Sequence, residues 1–121
     1  MTHRIQRINS VIRQEISDLI QRSVKDPRLD TSVIITEVAT SSDLRHAKLY
    51  ISRIGSEVEK QSTLNALVSA APFFRRELSK RLDLRRIPEF SFYWDDSMER
   101  ADRLLRLIDQ VNQEADQPAQ D

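Results

Sequence analysis

Six cations crowd into fourteen residues of this sequence: Arg75, Arg76, Lys80, Arg81, Arg85 and Arg86 are opposed only by Glu77 and Asp83, a local charge of +4 between positions 73 and 86. Cations at that density can neutralise phosphates and release their condensed counterions. Phe73 stands beside them, and an aromatic ring among arginines is the combination that stacks on unpaired bases while holding a backbone. Arg4 and Arg7 make a secondary patch, in a stretch from 4 to 28 with six cations and three acids. Residues 95 to 121 reverse the sign, with eight acids against Arg100, Arg103 and Arg106, a net of −5. Nineteen basic and nineteen acidic side chains therefore cancel in the sum and not in space, which gives the molecule one side suited to a polyanion.

Other reactive residue types are sparse. His3 and His46 are the only imidazoles, no second histidine lies at metal-ligand spacing, and the absence of cysteine excludes disulfides and thiolate metal sites. Asp95 and Asp96 form an adjacent carboxylate pair, which a hydrolase could use; the start of a helix accounts for it better, because carboxylates there accept free backbone N–H groups and suit the helix dipole. One glycine, Gly55, is too few for a P-loop, a dinucleotide fingerprint or a nucleophile elbow. The reading is a binding protein and not an enzyme, with no metal, no cofactor and no small-molecule substrate. Two kinds of partner stay open on these grounds: RNA, or an acidic protein docked by the basic cluster of an adaptor. A helix-turn-helix fits less well, since the basic helix is set between strands.

The elements that must carry these residues follow from periodicity. Ile5, Ile8, Val11, Ile12, Ile16, Leu19, Ile20 and Val24 recur at helical spacing, and Asp26-Pro27 stops that helix. Val33 to Thr40 is a β-branched strand, Ser41-Ser42-Asp43 a turn, and Ala47, Leu49 and Ile51 alternate with Lys48, Tyr50 and Ser52 in a second strand that pairs back as a hairpin. From Glu57 to Leu82 one apolar stripe of Leu64, Leu67, Ala71, Phe74, Leu78 and Leu82 is interrupted by Pro72, which predicts helix, kink, helix, with Arg76 and Lys80 opposite the stripe. Pro88 introduces a third strand whose Phe90, Phe92 and Trp94 share a face. Asp96 and Glu99 read as the capping box of a last helix, with Met98, Ala101, Leu105 and Ile108 as its apolar stripe.

A chain of 121 residues, 39% hydrophobic and 31% charged, suits one compact domain over residues 1–111, with 112–121 as a disordered polar and acidic tail. The expected architecture is α+β, with the helices packed on one face of a three-stranded sheet. No signal peptide or membrane-spanning run is apparent, so a cytoplasmic monomer is expected.

Two groups of residues carry a resemblance. Asp26-Pro27-Arg28-Leu29, followed by Thr40 to Ser52 (TSSDLRHAKLYIS), and then Phe73-Phe74-Arg75-Arg76-Glu77-Leu78, Leu84 to Phe92 (LRRIPEFSF) and Asp95-Asp96-Ser97, resemble the ribosome-binding factor A family over about residues 3 to 110. The resemblance implies a single type II KH-like domain of order α-β-β-α(kink)α-β-α. It implies that an alanine-x-glycine kink stands where other KH domains carry a glycine-rich RNA clamp; here that kink reads Ala70-Ala71-Pro72, with proline in place of glycine. It further implies binding to the free 30S-type small ribosomal subunit and to the 5′ region of its 16S-type rRNA, with ribosomal proteins as further neighbours, late rRNA processing and maturation as the role, and an association with cold adaptation. Arg75, Arg76, Lys80, Arg81, Arg85, Arg86, Arg4, Arg7 and Phe73 are the candidate RNA contacts.

Overall fold

Alternating apolar residues build a small mixed sheet, and two amphipathic helices close one side of it. A computed structural model describes residues 2–30, 32–53 and 60–116. The order is α1 (Thr2–Arg22), β1 (Val33–Thr40), β2 (His46–Arg53), α2 (Lys60–Arg81), β3 (Glu89–Trp94) and α3 (Ser97–Asp116). β2 is central: it pairs antiparallel with β1, as the hairpin reading expects, and parallel with β3. Parallel neighbours need a crossover, and α2 supplies it. A bulge between Ile35 and Glu37 leaves Thr36 outside the β1–β2 register.

The core is the sum of the faces that periodicity marks. Ile8, Ile12, Ile16, Leu19 and Ile20 of α1, Ala66, Leu67, Phe74 and Leu78 of α2, and Val33, Ile35, Val38, Ala47, Leu49 and Ile51 of the sheet are all buried in one cluster. Phe74, among the largest of them, meets Phe92 of β3 at 6.5 Å between ring centroids. Arg53 ties this core to the loop before β1. Its side chain, 12% exposed, donates to the carbonyl of Arg28 at 3.0 Å, to Asp30 at 3.0 Å and to the buried Thr63 hydroxyl at 3.3 Å.

Three expectations change. First, the two helical stretches expected on either side of Pro72 belong to one element, α2, with Pro72 inside it. Proline removes the bond to the carbonyl of Val68, at a cost of about 3 kcal/mol in a free helix. Here the sequence on both sides is held by burial, Thr63, Ala66 and Leu67 before it and Phe74 and Leu78 after it, while Pro72 and Val68 face solvent. Second, α1 and α2 cover the sheet, but α3 does not join them: every side chain from Ala101 to Glu114 is exposed, including Leu104, Leu105, Leu107, Ile108 and Val111 at 46–62%. Periodicity reports an amphipathic face and says nothing of whether a surface is there to receive it. Third, α3 continues through Asp116, past the expected start of the tail at 112. The remainder, 117–121, and Gly55 lie outside the described residues.

The start of α3 is held by the adjacent acids Asp95 and Asp96. Asp95 accepts the N–H of Ser97 at 2.9 Å and the hydroxyl of Thr36, while the Asp96 carboxylate pairs with Arg100 at 3.0 Å. Those bonds hold the Asp95 carboxyl below the ordinary aspartate value, the Thr36 hydroxyl contributing most. Both acids of the pair are thus engaged in helix entry.

Candidate nucleic-acid interface

Three stretches far apart in sequence bring arginines to one end of the molecule. Arg4 comes from the first turn of α1, Arg45 from the β1–β2 turn, and Arg85 and Arg86 from the connection between α2 and β3. Together they line a groove of about 630 Å³ with Leu44, Leu84, Asp43 and Asp83. A second concavity of about 270 Å³ shares Arg45 and Arg86 and adds Arg75, His46, Ile87 and Glu89. The two form a continuous basic surface.

Local chemistry fixes the arginines there. The β1–β2 turn puts Leu44 at φ 61°, a left-handed conformation that costs a side chain with a Cβ about 1–2 kcal/mol. Leu44 packs against the core, which offsets that cost. The turn is closed from within: Leu44 N–H donates to the Ser41 carbonyl at 2.9 Å, and Asp43 accepts the Ser41 hydroxyl at 2.6 Å and the Arg45 N–H at 3.1 Å. These bonds lower the Asp43 pKa, the Ser41 hydroxyl first. Arg45 then accepts the N–H of Glu89 on its carbonyl at 2.9 Å, which anchors the turn to the start of β3. Arg75 reaches the same end by donating to the carbonyl of Ile87 at 3.2 Å. Its charge stays available, since a carbonyl orients a guanidinium without neutralising it.

The candidate contacts therefore divide. Arg4, Arg75, Arg85 and Arg86 converge, and Arg45 joins them although sequence reasoning passed it over. Arg76 and Lys80 are exposed on α2, as the helical wheel expects, with Lys80 3.4 Å from Glu77. Arg81 is committed elsewhere: it bridges to α1 through Glu15 at 2.8 Å and Asp18 at 3.4 Å, and the Glu15 bond above all raises its pKa. Phe73 is not a free stacking platform; it is partly buried, packs on the core, and lies 6.1 Å from the Phe74 ring. Ala70 also packs against the core, and Ala70-Ala71-Pro72 sits mid-helix. Arg7 faces a separate small hollow with Ile8, Val11, Leu82, Asp83 and Leu84.

Chemically, the arginine end can bind phosphates by multiple guanidinium contacts. A larger concavity of about 720 Å³ runs along α1, but its lining of Arg13, Glu15 and Asp18 with neutral polar groups is mixed in charge. Among the described residues no three His, Cys, Asp or Glu side chains converge as metal ligands, and no helix is long and apolar enough to cross a membrane.

Comparison with known proteins gives a consistent neighbourhood. The family model described as ribosome-binding factor A matches residues 4–108. A ribosome-binding factor A from Dehalococcoides mccartyi is 46% identical over 113 residues, covering 93% of this chain and 96% of that protein. Among solved structures, a Thermotoga maritima protein described as a putative ribosome-binding factor A is similar at a TM-score of 0.68 and 33% identity, covering 77% of this chain and 88% of that one. The fold is also shared, at a TM-score of 0.57 and 22% identity over 73% of this chain and 91% of that one, with a homology model of the Thermus thermophilus ribosome-binding factor A as fitted into the cryo-EM map of its 30S complex.

Proposed function

This chain belongs to the ribosome-binding factor A family, and from that premise we propose that it binds the free small ribosomal subunit through the 5′ region of its 16S-type rRNA and assists late rRNA processing and maturation in the cytoplasm. The observation that carries this reading is the convergence of Arg4, Arg45, Arg85 and Arg86 on one groove from three separated segments. A charged helix face is ordinarily just solvated; four guanidinium groups held around one concavity, against only Asp43 and Asp83, are placed for a phosphate backbone. Arg75, Arg76 and Lys80 extend the cationic surface along α2, and Arg7 along α1.

The mechanism needs no catalytic group. A factor that binds one arrangement of an RNA more tightly than its competitors shifts the population toward that arrangement, by no more than its difference in affinity. Holding the rRNA by phosphates supplies affinity and orientation, and release follows when a later arrangement removes the complementary surface. The Ala70-Ala71-Pro72 segment lines neither of the two basic concavities, so a role for a kink in RNA contact is secondary in this reading.

Binding of a 5′-region fragment of 16S-type rRNA tests the proposal. Four phosphate contacts give a log–log dependence of affinity on salt with a slope of about −3 to −4. Arg45→Glu should flatten that slope by about one and weaken binding at low salt. A slope near zero for the unaltered protein, or retention by an acidic protein partner in place of RNA, would favour the adaptor reading.

A further inference from the structure

α3 carries a full apolar stripe with nothing beneath it. Leu104, Leu105, Leu107, Ile108 and Val111 stand 46–62% exposed, whereas the other exposed large apolar side chains among the described residues, Ile34, Val68 and Tyr93, sit on three different elements. A contiguous stripe of this kind marks an interaction surface, and scattered single residues do not. Ala101, Leu104, Ile108 and Val111 alternate spacings of three and four, the seam of a coiled coil, with Leu105 and Leu107 on its two flanks. We infer that α3 is a self-pairing helix: two copies of this chain associate by packing their α3 seams antiparallel about a two-fold axis at Arg106.

Apolar pattern, charge and length each select a second copy as the occupant. About that axis Leu104 meets Ile108 of the copy, Ala101 meets Val111, and Leu105 and Leu107 each meet their own counterparts, so every exposed apolar side chain of the stripe gains an apolar partner. A shallow hollow of about 200 Å³ bounded by Leu107, Ile108, Val111 and Asn112 lies where the copy's Leu104 enters as a knob. The cations of α3, Arg100, Arg103 and Arg106, all precede Leu107, and beyond it the charges are Asp109, Glu114 and Asp116. Antiparallel pairing lays one set over the other and, beside the seam, brings Arg100 to the copy's Glu114, a pair that the symmetry makes twice. A parallel pair would set Arg100 against Leu105 instead. The 20-residue helix is about 30 Å long at about 1.5 Å per residue, and the axis lies at its middle, so the copy's helix ends level with Asp96 and does not run into the sheet. An anionic membrane is a poorer partner, because the polar face of α3 holds more acids than bases.

The inference stands apart from the RNA reading, and sedimentation equilibrium of the full chain without RNA tests it from the micromolar to the millimolar range. The average mass should climb from that of one chain toward that of two. Ile108→Asp should hold it at one chain and leave the melting transition of the core unchanged, since that side chain is exposed. Arg100→Glu and Glu114→Arg should each weaken association about fivefold by turning two attractions into two repulsions, and the double variant should restore it. The ion pair from Arg100 to Asp96 is lost in Arg100→Glu and in the double variant alike, so restoration reports the contact between copies and not the stability of one helix. It also separates an antiparallel pair from a parallel one. A single chain at every concentration would give the face to another partner and overturn the inference. Association undiminished by Ile108→Asp, or a double variant no better than either single one, would overturn it as well.

Discussion

At the scale of single residues, an arginine's role is decided by what it touches, which its position in the sequence only partly reveals. Arg81 belongs to the same basic run as Arg85, yet it spans from α2 to Glu15 and Asp18 of α1. Arg81→Ala should therefore lower stability slightly, seen as an earlier melting transition, and leave rRNA affinity within about twofold. Arg53 is the stronger case. It is nearly enclosed, and its loss would leave the Thr63 hydroxyl and the Arg28 carbonyl without their donor; Arg53→Met should cost about 2 kcal/mol, read by urea denaturation, with little change in RNA binding of the folded fraction. Sequence reasoning missed Arg45 for a related reason. The chain turns through the left-handed Leu44 just before it, and a leucine gives no sign of a positive φ. The signal that could have found it is the Ser41-Ser42-Asp43 turn beside a basic residue, in a hairpin whose end meets the start of β3.

Elements were legible where burial enforces a pattern and illegible where it does not. β1 spans Val33–Thr40 as its β-branched run suggests, and Ala47, Leu49 and Ile51 are buried as alternation requires. Pro72 stays within α2 because buried residues anchor the helix on either side of it; Pro72→Gly should shift stability by no more than about 1 kcal/mol and leave RNA binding unchanged. α3 is the clearest limit, since an amphipathic pattern is present and its apolar side faces solvent. Ending the chain after Arg100 should accordingly keep the stability of the remaining domain within about 0.5 kcal/mol of that of the full chain. Its entry is pH-sensitive. The Asp95 carboxyl titrates below the ordinary aspartate value in the folded chain, so the stabilisation is complete above that ordinary value and is lost as pH falls through the lowered one. NMR of the Ser97 amide in an acid titration should show exchange protection disappearing there, ahead of the core amides.

For the whole molecule, the charge division read from sequence survives folding. Arg4 of α1, Arg45 of the β1–β2 turn, and Arg85 and Arg86 of the α2–β3 connection gather at one end, whereas α3 carries Glu99, Asp102, Asp109 and Glu114 on a helix that buries nothing between 101 and 114. Sequence alone could show that cations were abundant and that the chain resembles a known family. It could not show which cations meet, because convergence of Arg4, Arg45, Arg85 and Arg86 depends on packing α1 beside a hairpin turn more than forty residues away. Whether the converging arginines hold the ribosome is read by sedimentation through sucrose gradients with free small ribosomal subunits. Wild type should travel with the free subunits at low salt and leave them steeply as salt rises. The folded triple variant Arg4→Glu, Arg85→Glu, Arg86→Glu should remain at the top of the gradient at every salt concentration. Co-sedimentation of that variant equal to wild type, or a wild-type protein that never enters the subunit fractions, would show that the arginine groove is not the ribosome-binding surface.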